Sequence, residues 1–224
     1  MAFSFSPTSL RAILSNFSKK EQIYFILFIF AAMISLLILI RALDERYADI
    51  SPLAGGTFRE GVVGSPRFIN PLVALSDTDR DLVNLVYAGL MRHDGAGGFE
   101  PELAESYEIS PDGLTYTFRL RENLVWHDSK PLTVEDILFT IERARNPAIR
   151  SHLRAQWEGI VAEKIDERTV QFTLSKPYAP FLAATTLDIL PKHLWNTQEF
   201  TLSSLNRSPI GAGPYRITSF KEEK

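Results

Sequence analysis

Apolar and polar residues alternate most strictly between Leu114 and Leu120, where Leu114, Tyr116, Phe118 and Leu120 are interleaved with Thr115, Thr117 and Arg119. A period of two places the apolar set on one face of a strand and the polar set on the other. Just upstream, Ser110-Pro111-Asp112-Gly113 is a turn signal: proline presets one backbone angle and glycine is free to take positive φ. Tyr107 and Ile109 then supply the partner strand, and a hairpin is predicted. A second hairpin is predicted from residues 160–166, a turn at Asp166-Glu167, and a return through 169–174, in which Val170, Phe172 and Leu174 alternate with Thr169, Gln171 and Thr173.

Elsewhere the period is helical. Thr133, with Asp136 three residues on, has the form of an N-cap and its capping-box acid, and Val134, Ile137, Leu138 and Ile141 fall on one face, so a helix is predicted over 134–145, ending before Asn146-Pro147. A further helix is predicted over 77–92 from Leu82, Leu85, Val86, Gly89 and Leu90. Asp77, Asp79 and Asp81 at its start, and Arg92 and His93 at its end, are read as charges complementing the helix termini. Residues 181–187 read as a short helix, and 150–158, with Trp157, as a loop or short helix. An opening strand is expected over 55–63 and a closing one through Tyr215, Ile217 and Phe220.

One stretch has neither period. From Ile23 to Ile40 the chain has no charge and one serine, and eighteen residues of helix rise about 27 Å, enough to cross a bilayer core. Arg11, Lys19 and Lys20 outnumber Glu21 before it, whereas Asp44, Glu45 and Asp49 outnumber Arg41 and Arg46 after it. That asymmetry predicts a cytoplasmic tail at 1–22, a transmembrane segment at 23–40, a linker at 41–54 and an exported remainder. The segment is either a retained signal-anchor or a cleaved leader; the long polar start, the long apolar core and the lack of a clean small-x-small site between Ile40 and Asp49 favour the anchor.

Composition narrows the chemistry. With 45% hydrophobic and 23% charged residues and a formal net charge of -3, the chain is globular outside that segment and has no electrostatic reason to bind nucleic acid. No cysteine is present, which excludes disulfides, thiol catalysis and thiolate metal sites. His93, His127, His152 and His193 show no paired metal-ligand spacing, and neither a Gly-x-Ser-x-Gly elbow, a P-loop nor a dinucleotide fingerprint occurs. Neither an enzyme nor a cofactor is expected.

Four pieces, Pro101-Glu102-Leu103-Ala104-Glu105-Ser106, the strand Leu114 to Leu120, Arg121-Glu122-Asn123-Leu124-Val125-Trp126-His127-Asp128 and Pro131-Leu132-Thr133-Val134-Glu135-Asp136-Ile137, follow one another in an order and spacing that resemble the family 5 solute-binding proteins, the oligopeptide, dipeptide and nickel receptors of ABC importers. The resemblance extends over roughly residues 56 to 220. It implies an α/β, periplasmic-binding-protein type II fold that is incomplete: segments 55–70 and 208–224 of lobe I, a small α/β subdomain at 71–207, and no second lobe, all preceded by the transmembrane helix. An exposed sheet edge or apolar patch is expected where the second lobe would pack.

By the same resemblance, the chain is a membrane-anchored extracytoplasmic substrate-binding component that takes a peptide or other small solute and hands it to ABC permease subunits; the alternative is a structural or interaction remnant that docks on another chain or a separately encoded second lobe and binds no ligand alone. Two loops of the resembled receptors border the ligand cleft. They correspond to Gly64, Ser65, Pro66 and Arg67, which can equally be a plain turn, and to Gly211, Ala212, Gly213 and Tyr215 in a Gly-x-Gly-Pro-Tyr element. For Tyr215, burial in the core is favoured over a place in the cleft.

Overall fold

The computed structural model describes residues 18–47, 56–57, 59–196 and 199–221. The tail at 1–17, the second half of the linker (48–54), Gly55, Phe58, Thr197, Gln198 and 222–224 lie outside these residues. The chain divides into two units, Met1–Arg59 and Glu60–Lys224.

The described part of the first unit is dominated by one helix, α1 (Lys19–Tyr47). Its start is closed by a capping box: the Ser18 N–H donates to Glu21 Oε2 at 2.7 Å and the Glu21 N–H to Ser18 Oγ at 3.4 Å. Lys19–Ala42 has a mean hydropathy of 3.0, and none of its most apolar window is buried, so α1 is long and apolar enough to cross a membrane. The helix runs seven residues beyond Ile40, into the span expected as linker. Ala42, Leu43, Glu45 and Arg46 are all good helix formers, and nothing in that sequence stops the helix.

The second unit is built on a four-stranded antiparallel sheet of order β3-β4-β6-β5, with β3 at Ala104–Ile109, β4 at Thr115–Leu120, β5 at Val161–Lys164 and β6 at Thr169–Thr173. Both predicted hairpins are present. Gly113 takes φ of +68° in the first turn, the left-handed value for which glycine is suited. The central pair sets Tyr116 opposite Phe172 and Phe118 opposite Val170, and all four are buried. The other face is polar: Gln171 Nε2 donates to Thr117 Oγ1 at 3.1 Å.

The buried face is closed by aromatic rings. Phe172 meets Phe118 at a centroid distance of 5.7 Å, Trp157 at 5.7 Å and Phe181 at 5.6 Å, and Phe181 also meets Tyr116 edge-on at 4.7 Å. These tilted and edge-to-face arrangements are the ones the ring quadrupole favours. Trp157 arrives on α4 (Arg154–Trp157) and Phe181 on α5 (Phe181–Ala184), so two four-residue helices serve chiefly to deliver one ring each.

Helix α3 (Val134–Arg145) has the predicted bounds. Asp136 Oδ2 accepts from the Thr133 N–H at 2.9 Å, and Oδ1 accepts from the Lys192 N–H at 2.9 Å, at the start of α6 (Lys192–Trp195). Thr140 Oγ1 donates to the Asp136 carbonyl and accepts from the Leu190 N–H at 2.9 Å. Two buried polar groups thus fasten α3 to a segment about fifty residues later, each satisfied as burial demands.

The helix expected over 77–92 is shorter: α2 spans Asp77–Val86, and Tyr87 is extended. The next residues run as β1 (Met91–His93), paired with β2 (Phe99–Pro101). Gly89 makes a bridge with Asp188, the Met91 N–H donates to Thr185 O at 3.2 Å and the Leu103 N–H to Gly89 O at 3.1 Å. The burial of Leu90 therefore comes from neighbours across the chain, and its helical spacing from Leu82 is coincidental. A Cβ on Gly89 would stand 2.9 Å from the Thr186 carbonyl oxygen, which is why this crossing takes glycine.

Neither outer strand forms a ladder. Described residues of 56–63 and of 215–220 have no strand assignment, since extended backbone becomes a strand only beside a hydrogen-bonding partner. Large apolar side chains stand exposed at Val62, Val63, Leu202 and Tyr215. Among the described residues β3 and β5 are the outermost strands of the sheet.

Replacing Phe172 by alanine removes the ring common to three aromatic contacts, and a loss of about 3–5 kcal/mol in unfolding free energy is expected by denaturant titration. Thr117→Ala, on the open face, is expected to cost less than about 1 kcal/mol.

Candidate functional site

The first candidate loop is held by groups the sequence reading did not single out. Gly64 takes φ of +125°, and a Cβ there would lie 2.9 Å from Thr78 Oγ1; that hydroxyl donates to the Val63 carbonyl at 3.2 Å. Asp79, read as a helix-end charge, is buried. Its Oδ1 accepts from the Arg67 N–H at 2.7 Å and the Phe68 N–H at 3.1 Å. Three aspartates in one helical turn carry the same sequence signal; only the tertiary position of the loop distinguishes Asp79 from its neighbours.

Opposite this loop lies the segment 201–208. Asn206 is buried and joins the two walls: its carbonyl accepts from the Ile69 N–H at 3.0 Å, its Oδ1 from Asn70 Nδ2 at 3.3 Å, and its Nδ2 donates to the Phe200 carbonyl at 2.8 Å. Between the walls is a concavity of about 930 Å³ lined by Ser65, Pro66, Arg67 and Phe68 on one side and by residues from Thr201 to Ser208 on the other.

The second candidate loop is placed elsewhere. The Gly213 N–H donates to Val86 O at 2.8 Å and the Tyr215 N–H to Leu85 O at 3.0 Å, so the loop satisfies carbonyls that the end of α2 leaves without helical partners. A Cβ on Gly211 would overlap the Val86 carbonyl oxygen, and one on Gly213 would come within 2.5 Å of the Tyr87 oxygen. His127 clamps the loop from the other side. Its Nδ1 accepts from the Gly211 N–H at 3.3 Å, its Nε2 is 2.9 Å from the Gly213 carbonyl, and its own N–H donates to Gly211 O at 2.8 Å. Both ring bonds are satisfied together by the neutral Nε2–H tautomer. Tyr215 is 63% exposed, against the expectation of burial: its N–H is tied to α2, while the buried ring in this neighbourhood is Tyr87.

The next residue, Asp128, fixes a different element. Its Oδ2 lies 2.8 Å from His193 Nε2 on α6. Burial opposes ionisation of this carboxyl, but the bonds from His193 and the Lys130 N–H, with the charges of His193 and Lys130, outweigh it and hold the group below the usual carboxylate range.

Beside the second loop is a cavity of about 460 Å³ to which Glu102, Asp188, Asn84, His93 and Pro214 contribute. Glu102 Oε2 accepts from the Gly89 N–H at 3.0 Å. Loss of surrounding water, with the Glu102 charge adding to it, pushes the Asp188 carboxyl well above the ordinary range. Burial pushes Glu102 up as well, against the pull of the Gly89 N–H and of Arg92. The structure does not unite the two candidate loops in one pocket: Ser65 to Arg67 line the larger concavity, and Pro214 lines this acidic one.

A carboxyl raised in the folded state contributes stability below its unfolded value, and that contribution is lost as pH rises through the folded value. Asp188→Asn is therefore expected to raise the melting temperature near neutral pH, the gain shrinking as pH falls toward about 4, the ordinary aspartate value. Melting curves of both proteins across that range check it.

Comparison with known proteins adds to this geometry. The family model for bacterial extracellular solute-binding proteins, family 5 Middle, matches residues 98–224, more than half of the chain. The dipeptide-binding protein of Escherichia coli K12 is 34% identical over 185 residues, which cover 71% of this chain and 35% of that protein. Among solved structures, NikZ from Campylobacter jejuni in complex with Ni(L-His) matches with a TM-score of 0.65 at 38% identity, over 71% of this chain and 32% of that one. The oligopeptide-binding protein AppA from Bacillus subtilis, in complex with a nonapeptide, matches with a TM-score of 0.65 at 27% identity, over 72% and 33%. The chain thus spans about a third of the length of these relatives. The family is one of substrate-binding proteins of ABC transporters rather than of enzymes, and this chain belongs to the bacterial extracellular solute-binding proteins of family 5.

Proposed function

We propose that this chain is the membrane-anchored, extracytoplasmic solute-recognition part of an ABC importer whose solutes are peptides. The observation that carries the reading is the 34% identity to a dipeptide-binding protein across 71% of the chain, supported by the fold likeness to a receptor holding a nonapeptide. In this reading α1 is the retained anchor, with Lys19 and Lys20 on the cytoplasmic side. Residues 71–207 form the small α/β subdomain, and 55–70 with 208–224 belong to the larger lobe.

The function is recognition without chemistry. An extended peptide offers backbone donors and acceptors that pair with protein backbone, while roomy, wet pockets tolerate varied side chains. The concavity at Ser65 to Arg67 suits such a role, because its walls are fixed before any ligand arrives and preorganised walls lose less entropy on binding.

Ligand that binds only the folded state raises the melting temperature by mass action. The full chain in detergent is expected to melt higher with a mixture of short peptides at concentrations well above about 1 μM, and to remain in the membrane pellet after alkaline carbonate washing with α1 intact by mass spectrometry. An unmoved melting temperature argues against peptides as the solute; release from the pellet, or a cleaved N-terminus, argues against the anchor.

A further inference from the structure

His127 holds the second loop through atoms that cannot all serve in both charge states of its ring. The Gly211 N–H is a donor, so Nδ1 must keep a free lone pair to accept it at 3.3 Å; the Gly213 carbonyl is an acceptor, so Nε2, 2.9 Å away, must carry the proton. A further proton, on Nδ1, sets one N–H against another. Gly211 is buried, and its N–H has no other acceptor among the described residues. Leaving a buried donor without a partner costs more than an average hydrogen bond contributes. The turn that presents the ring is itself closed, by bonds from the Trp126 N–H to Lys130 O and from the Ser129 N–H to Trp126 O, both at 2.8 Å. When the ring lets go, the loop moves and the turn stays.

The other charged and titratable groups on the neighbouring elements are engaged elsewhere or hold one charge state. On the same stretch, Arg121 Nε donates to the Glu102 carbonyl, Glu122 pairs with Arg168 at 2.8 Å, and Asp128 is turned to His193, with Lys130 at 3.9 Å. After α2, Tyr87 is buried, and loss of water pushes its hydroxyl up, so it keeps its proton. Arg216 follows Tyr215 on the seated loop, and the cavity beside Pro214 adds Arg92, His93, Glu102 and Asp188. His193 responds to acid in the opposite sense: a proton there turns its bond with Asp128 into an ion pair.

We propose that His127 is a proton-operated latch on the loop from Gly211 to Tyr215. With a neutral ring the loop is seated on the end of α2; with a charged ring the Gly211 N–H is released and the seat loosens. Histidine is the side chain whose charge ordinarily changes between about pH 5 and pH 8, and members of an extracellular family meet a pH that the cytoplasm does not set. The latch needs no solute and does not rest on the importer reading.

The test is hydrogen–deuterium exchange of the full chain in detergent from about pH 8 to about pH 5, corrected for the intrinsic pH dependence of exchange, with nitrogen NMR spectra of the histidine rings over the same range. The segment 211–215 is expected to lose protection by about tenfold or more toward acid pH, with its midpoint where the His127 ring gains its proton, while β4 and β6 keep theirs. His127→Gln offers a carbonyl acceptor and an amide donor that do not titrate, so its loop is expected to be equally protected at both ends of the range. Three results overturn the latch: wild-type protection that holds throughout, a midpoint that departs from the His127 titration, or a loss that persists in His127→Gln, which assigns it to Glu102 and Asp188 or to His193. Should His127→Gln not fold, His193→Gln takes its place. An unchanged loss there supports the latch, and an abolished one overturns it.

Discussion

The structure depends on one strand having no freedom of position. β4 is paired on both sides, by β3 and β6, and its buried face carries Tyr116, Phe118 and Leu120 into a layer where Phe172, Trp157 and Phe181 already touch one another. A slip of one residue would turn Thr115, Thr117 and Arg119 inward and expose the rings. Once the register of β4 is set, the loop that carries His127 and the start of α3 follow a short way along the chain, while α4 and α5 are held by Trp157 and Phe181, whose rings meet the aromatic layer on its buried face.

Around that apolar layer, buried polar side chains decide which distant segments meet. Asp136 reads the N-terminus of its own helix and the first amide of α6; Asp79 reads two amides of the loop before its helix; Asn206 joins segments more than 130 residues apart in the chain. Each side chain contributes only modest net stability through a satisfied bond, but leaving its partners unpaired in the interior is costly. Such groups act as checks on the assembly, because an arrangement that puts the wrong segment opposite them gains nothing in return.

What was legible in the sequence and what was not divides along the same line. The hairpin around Gly113, the alternation in β4 and β6 and the cap at Thr133 are local codes, read within six residues or so, and the bounds of α3 agree with the spacing of Val134, Ile137, Leu138 and Ile141. The end of α2 is not legible, because Leu90 continues a helical period that tertiary contacts, not helix, make use of. The outer strands at 55–63 and 215–220 were drawn from composition and resemblance, yet strand structure is a property of a pair. At the candidate site, the glycines of both loops were visible, but their reasons were not. Gly64 yields to Thr78, and Gly211 to the carbonyl of Val86, contacts between residues no pattern links. Asp79 is legible only as a charge at a helix start and His127 only as part of the resembling piece from Arg121 to Asp128; neither pattern says which loop the residue holds.

The clamp at His127 has a consequence for the order in which the chain assembles. Its ring bonds reach residues 84 and 86 positions later, so the contact closes a long loop, for which chain entropy must be surrendered before any bond repays it. The hairpins and α3 close over short spans and gain from local contacts first. Synthesis presents the 101–145 region before residues 211–215 exist. His127 thus holds a segment of the chain that is made much later than itself, and the seat of Gly211 to Tyr215 on the end of α2 is a contact of long range in sequence.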